Sequence, residues 1–202
     1  HCSVRPCMPR RMLVAMQMEE FMTRRYELRF NRMKGCKEYR ERHSLFTDYR
    51  PVTAEAVKSI CFEAQLEGIS AIEYDVQRYV DSRRVSHYWP IEEFLFDLPH
   101  WDGQDRIRAL ADCVPCENKE WRDFFYIWFL SMVAHWLQMD REHANSTSPL
   151  LVGPQGCRKS SFCQSLLPPE LRPYYVDGID LGSRKDAEMA LNRFALINLD
   201  EF

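Results

Sequence analysis

Gly153, Gly156, Lys159 and Ser160 stand at the spacing of a loop that holds phosphate. The apolar run Leu150-Leu151-Val152 precedes them, and an amphipathic stretch closed by Pro168-Pro169 follows. Phosphate binding at such a loop needs backbone N–H groups aimed at phosphate oxygens, which favours glycine where a strand passes into a helix. It also needs a lysine that reaches the β/γ-phosphates and a hydroxyl that ligates Mg²⁺. The candidate nucleotide-binding segment is Gly153, Pro154, Gln155, Gly156, Cys157, Arg158, Lys159, Ser160 and Ser161, with Lys159 as the ammonium and Ser160 as the hydroxyl. Two of the chain's seven glycines fall here. The usual pattern is G-x-x-x-x-G-K-[ST], and Arg158 takes the place of its second glycine. That arginine adds positive charge where an anion is expected. The competing reading is a loop that has this spacing by coincidence.

A second element bears on the choice. "ALINLDEF" (195–202) is an apolar strand running into adjacent carboxylates, the pattern of a Walker B element. Asp200 would hold Mg²⁺, directly or through water, and Glu201 would act as general base on the attacking water. Asp200 follows Lys159 by 41 residues, room for a helix, a strand and a second helix. Both groups could then meet at the carboxyl edge of one parallel sheet. A strand ending in a solvated acidic turn is the plainer alternative, and Asn198 is polar where such strands are usually apolar.

Residues 10–24 and 53–67 have helical patterns, the second capped by Thr53 and stopped by Gly68. "YELRFN" (26–31) and "KEYRER" (37–42) alternate as strands about Lys34-Gly35, giving a β-hairpin. Short helices are predicted at 74–81, from Pro90 through Phe96, and at 104–112. In a long helix over 118–139, Trp121, Phe124, Phe125, Trp128, Met132, Val133 and Trp136 form one broad apolar face, read as core. Trp101-Asp102-Gly103 reads as a structural turn. Trp101 would pack, Gly103 would turn the chain, Asp102 or Asp105 would cap the next helix, and Arg106 would pair locally. Beyond polar 140–148, strands are predicted at 149–152, 174–176 and 194–199, with helices at 159–167 and 185–192.

Composition sets outer limits. With 46% hydrophobic and 28% charged residues the chain has the makings of a folded core. Its most apolar window, Phe124–Leu137, is 14 residues, short of the roughly 20 that span a bilayer. No membrane partner is expected, and the expected address is the cytoplasm. Of eight cysteines only Cys113 and Cys116 have metal-like spacing, with no second pair nearby, so reduced structural cysteines are the default over zinc. Residues 1–50 carry a net +6 and the rest −9. Arg24, Arg25, Arg29, Arg32, Lys34, Lys37 and Arg40 interleave with aromatic residues there. They are candidate DNA contacts, and a hairpin with one solvated charged face is the alternative. The chain starts at His1, not Met, and has the look of a piece of a longer protein.

These residues together resemble the virulence-associated E family of bacterial mobile elements. The resemblance is carried by R-x-N (29–31) with "YRPVT" (49–53), "YWPIEEFLFDLPHWDGQDRI" (88–107), the Trp-rich helix, "NSTSPLLVGPQGCRKSSFCQSLLPPELRPYY" (145–175) and "LINLDEF" (196–202). Trp-Asp-Gly-x-x-Arg ahead of GxQGxxKS is its most specific combination. The resemblance implies a P-loop ATPase related to superfamily 3 and AAA+ helicases, often fused behind a primase-type domain and associated with replication of plasmids, phages and genomic islands. Lys159, Ser160, Asp200 and Glu201 map onto its ATP and Mg²⁺ groups, and Arg158 departs from the general glycine. It further implies DNA as partner, single-stranded or at a replication origin, and a homo-oligomer. A sensor strand and an arginine finger are expected beyond Phe202, so this length of chain is expected to bind nucleotide weakly and turn it over negligibly.

The expected fold class is therefore α/β. A mainly helical N-terminal region with a small β-hairpin (1–97) leads to a helical stretch with the WDG loop and Trp-rich helix (98–148). The first half of a P-loop NTPase parallel sheet (149–202) follows. The function expected is a fragment of an ATP-binding, ATP-hydrolysing replication protein of a mobile genetic element. The alternative is a non-catalytic nucleic-acid-binding or interaction module with a degenerate P-loop. A small-molecule kinase would need an acceptor lid, and no such segment is recognisable.

Overall fold

The computed structural model describes residues 8–45, 47–139, 147–179 and 182–199. They form an α/β protein of two compact units, His1–Trp89 and Pro90–Phe202.

The first unit opens with α1 (Arg10–Arg25), whose Val14, Met18, Phe21 and Met22 recur at three- and four-residue steps and are all buried. The chain turns directly into β1 (Tyr26–Asn31) and returns as β2 (Cys36–Glu41), antiparallel, with Leu28 opposite Tyr39. Gly35 makes the turn at φ 66°, a backbone region open to glycine. β3 (Arg50–Pro51) extends the hairpin on the β2 side. α2 (Ala54–Leu66) starts where the Thr53 hydroxyl accepts the Ala56 N–H at 3.2 Å, and Gly68, at φ 82°, stops it. After α3 (Glu73–Val80) comes β4 (Ser86–Tyr88), parallel to β1. The sheet order is β3-β2-β1-β4, mixed in direction.

The expected hairpin is thus half of a larger sheet. β3 and β4 have two and three residues, and long-range pairing rather than local pattern makes them strands. The core lies between one sheet face and the helices, joining Met18, Phe21, Met22, Tyr26, Ile60, Ala64, Val76 and Val80, with Leu28 and Tyr39 against it. Glu27, Arg29, Asn31, Glu38 and Arg40 alternate onto the opposite face.

The second unit contains α4 (Pro90–Phe96), α5 (Arg106–Ala111), α6 (Trp121–Trp136), α7 (Lys159–Ser165), β5 (Tyr175–Asp177), α8 (Arg184–Arg193) and β6 (Leu196–Asn198). β5 and β6 are parallel, as strands joined through a crossover helix are. Its core gathers on Phe125 of α6, with Ala111, Leu166, Trp121, Trp128, Phe129, Phe162 and Leu196. Two indole N–H groups tie the frame: Trp121 to the Ala111 carbonyl (3.0 Å) and Trp136 to the Ala195 carbonyl (2.9 Å).

Three expectations are corrected. Residues 149–152 form no strand, and Leu150 and Val152 are 78% and 87% exposed. Among the described residues no other strand pairs with this run, and an apolar sequence without a ladder stays irregular. The apolar face of α6 is narrower than its sequence implies: Phe125 and Met132 are buried, whereas Phe124 is 57% exposed. Trp101 is exposed rather than packed, its indole N–H donating to the Gln104 carbonyl at 3.1 Å. The rest of that turn is as expected. Asp105 caps α5 through the Arg108 N–H, Gly103 is left-handed at φ 82°, and Arg106 pairs with Asp102 through two hydrogen bonds of 2.7 and 2.6 Å. That pairing holds the Asp102 carboxyl well below the usual carboxylate range.

Candidate functional site

The candidate loop closes upon its own lysine. Lys159 Nζ donates to the Gly153 carbonyl at 2.8 Å and to the Pro154 carbonyl at 3.1 Å, and the Cys157 sulfur lies 3.7 Å away. A six-residue arc is thereby drawn around one ammonium. Two residues supply its sharp curvature. Gly156 has φ 83°, and Arg158 has φ 65° and ψ 30°, the left-handed region. Arg158 sits where the common pattern has glycine, and its backbone takes the conformation that favours glycine. At Gly153 a Cβ would come within 3.2 Å of the Cys157 sulfur, so any larger residue would crowd the thiol.

α7 starts immediately after Arg158, with the Phe162 N–H donating to the Arg158 carbonyl at 3.0 Å. Lys159, Ser160 and Ser161 make its first turn. The helix is fixed by Phe162, whose ring packs 6.1 Å from that of Phe125, and by Leu166 in the same cluster. Gln155, Gly156, Cys157 and Arg158 are exposed. Among the described residues no carboxylate pairs with Arg158 or Lys159, and Lys159 is held by the two backbone carbonyls.

The carboxyl edge of the parallel pair holds a feature that motif reading passes over. Asp177 ends β5 beside Asn198 of β6, and its Oδ1 accepts from Tyr175 Oη at 2.5 Å and Asn198 Nδ2 at 2.9 Å. Burial and the hydrogen bond to Asp177 push the Tyr175 phenol well above its ordinary range, keeping it a donor. A tyrosine two residues before an aspartate at a strand end is the one signal that could have found the pair. Asp200 and Glu201 lie outside the described residues.

For Mg²⁺, the donor set to test is the Ser160 hydroxyl with the Asp200 carboxylate, hard oxygen donors of the kind this ion takes with substrate phosphates and water. Among the described residues no group of three or more His, Cys, Asp or Glu gathers as a metal cluster, and Cys113 and Cys116 are exposed.

The basic residues of the first unit differ in their surroundings. Arg24 and Arg25 pair with Glu67, and Arg25 also with Glu63 at 2.7 Å. Lys37 pairs with Asp81, and Arg40 with Glu27 at 2.8 Å. Arg29 and Lys34 converge on Glu38, at 2.9 and 2.8 Å. Arg29 is also sandwiched, its guanidinium 3.5 Å from the Tyr49 ring centre and 3.6 Å from that of Tyr88. Arg32 alone of the seven pairs with no carboxylate among the described residues and stacks on Trp89 at 4.7 Å. Burial would raise the Glu38 pKa, but hydrogen bonds from Lys34, Asn31 and Arg29 outweigh it and hold the carboxyl below its ordinary value.

Among the described residues no helix is long and apolar enough to cross a membrane. No curated protein and no solved structure matches the chain. A family model does match. It covers residues 95–202, from the end of α4 through the WDG turn, α6, the lysine loop and β6 to the acidic pair. By that match, over more than half its length, the chain belongs to the Virulence-associated protein E-like domain family.

Proposed function

We propose that the chain is the nucleotide-binding part of a P-loop ATPase that serves DNA replication on a mobile genetic element, in the bacterial cytoplasm. The observation that carries the reading is the loop closed on Lys159, with Gly153 and Pro154 carbonyls holding the ammonium and Arg158 in a glycine-like conformation. An ammonium parked on two carbonyls can exchange them for phosphate oxygens with little rearrangement, which is the preorganisation that phosphoryl transfer requires.

In this reading the backbone N–H groups of 153–161 and Lys159 take the phosphate tail of ATP. Ser160 and Asp200 would hold Mg²⁺, which would supply positive charge to the phosphate tail. Glu201 orients a water and accepts its proton as the water oxygen bonds to the γ-phosphorus. The bond from that phosphorus to the β,γ-bridging oxygen breaks, leaving ADP and inorganic phosphate. DNA and neighbouring copies of the chain are the partners this function implies.

A second reading, a non-catalytic nucleic-acid-binding or interaction module, is favoured by the exposure of Leu150 and Val152, which leaves the loop without a strand before it. Hydrogen exchange with and without Mg²⁺–ATP separates the two. Slowed exchange across 153–161 is the outcome expected for the ATPase. Unchanged exchange there, with protection by single-stranded DNA elsewhere, would support the second.

A further inference from the structure

Residues 26–89 lie outside the family match, and the sheet they form is dense in guanidinium–ring contacts. Arg29 lies between Tyr49 and Tyr88. Arg40 is 4.7 Å from the Tyr49 ring centre, Arg50 is 5.2 Å from that of Tyr39, and Arg32 is 4.7 Å from that of Trp89. The first three arginines are also held by carboxylates: Arg29 by Glu38, Arg40 by Glu27 and Arg50 by Glu41. Those stacks are neutralised within the sheet, and Arg29, with a ring on each side, braces it. Arg32 differs on both counts. Among the described residues it pairs with no carboxylate, and a single ring, that of Trp89, lies against it. The backbone presents the two together. β1 and β4 run parallel with Asn31 opposite Tyr88, and the Arg32 N–H donates to the Tyr88 carbonyl at 3.0 Å. Arg32 and Trp89 thus stand side by side at the carboxyl ends of both strands, Arg32 exposed and Trp89 half-buried. A guanidinium seated on an indole at an exposed strand end offers a planar surface and N–H donors at one place. Unpaired nucleobases stack on such planes, and their phosphates take the charge. The hairpin 26–42 carries six cations against three carboxylates, which makes it complementary to a polyanion.

We propose that Arg32 and Trp89 form a stacking site for one unpaired base of single-stranded DNA, with the Arg32 charge on an adjacent phosphate. This rests on the reading of DNA as a partner and stands apart from the phosphate loop. A duplex keeps its bases stacked on one another, so the site selects unpaired strands. The aromatic residues interleaved in the hairpin itself do not serve this purpose, because Tyr26 lies in the core and Tyr39 packs against it. The ring is supplied instead from the end of β4, which only the parallel register brings beside Arg32. A cation–ring pair contributes little to stability at an exposed site, so the fold alone gives the pair a weak reason to exist.

The test follows the fluorescence anisotropy of two labelled strands of about 20 nucleotides, oligothymidylate and an abasic strand with the same phosphates. The 202-residue chain is compared with Trp89→Leu, Trp89→Tyr and Arg32→Gln, each checked for an unchanged thermal midpoint. The parent should bind oligothymidylate about tenfold tighter than the abasic strand. Trp89→Leu should lose most of that preference and keep its affinity for the abasic strand. Trp89→Tyr, which keeps a π-face, should retain most of it. Arg32→Gln should weaken binding to both strands and flatten the slope of log affinity against log salt by about 0.7. Equal binding of both strands by the parent would overturn the inference, because charge alone would then account for the affinity. So would a Trp89→Leu protein that keeps the full preference, or an Arg32→Gln protein with an unchanged salt slope. Should Trp89→Leu fail to fold, the parent's preference and the Arg32→Gln slope still decide. Binding of neither strand by the parent would remove the reading of DNA as a partner, and this inference with it, while leaving the phosphate loop untouched.

Discussion

Arg158 is one of seven left-handed residues among those described, and five of the others are glycine. A side chain in that region costs about 1–2 kcal/mol where glycine costs none. Arg158→Gly is therefore expected to raise stability by about 1 kcal/mol in urea unfolding, and a lower midpoint would show that the arginine stabilises the loop instead. Glu38 is the opposite case. Its side chain, 2% exposed, is held by Arg29 and Lys34, and removing the charge leaves Arg29 stacked between two tyrosines without its partner. Glu38→Gln should cost about 3 kcal/mol. Because the folded-state pKa of Glu38 lies below its ordinary value, its contribution is complete above the unfolded Glu range and is lost as pH falls through the folded pKa. The variant and parent should therefore converge in stability only as pH falls below the ordinary Glu range and through the lower folded-state value. A gap that persists undiminished into acid would contradict the ionic account.

At the scale of elements, α6 gives a contrast between adjacent phenylalanines. Phe125 is 1% exposed and touches Trp121, Trp128, Phe129 and Phe162, while Phe124 is 57% exposed. Phe125→Ala should cost about 3–5 kcal/mol and Phe124→Ala less than about 1. Equal losses would mean that α6 is rotated relative to this packing. Periodicity alone could not separate the two, since both lie within one helical stripe. Local signals read well where the cause is local: Thr53 and Gly68 bracket α2, and the 26–31 alternation is β1. They failed where pairing decides. β3 and β4 exist through their neighbours, and 149–152 has none among the described strands. The loop around Lys159 was legible because its glycines and lysine stand at short fixed intervals in the sequence. Asp177 was not, because only the β5–β6 register brings it to Asn198.

For the whole molecule, the net +6 of residues 1–50 is offset in part by three acids from beyond that segment, Glu63, Glu67 and Asp81. A sequence average cannot register such pairing. If DNA engages the hairpin, Arg32 is the cation with least internal competition. Arg32→Ala should then weaken single-stranded DNA binding several-fold, and Arg24→Ala little, at one salt concentration. Equal effects would place the contact elsewhere. The family match covers the lysine loop and the acidic pair together. In the proposed ATPase, Lys159 binds the phosphates of ATP. Equilibrium titration with a fluorescent ATP analogue in Mg²⁺ tests it most directly. Saturable binding is expected, displaced by unlabelled ATP and weakened at least about tenfold in Lys159→Ala without a change in thermal midpoint. Equal binding by the parent and Lys159→Ala would contradict it.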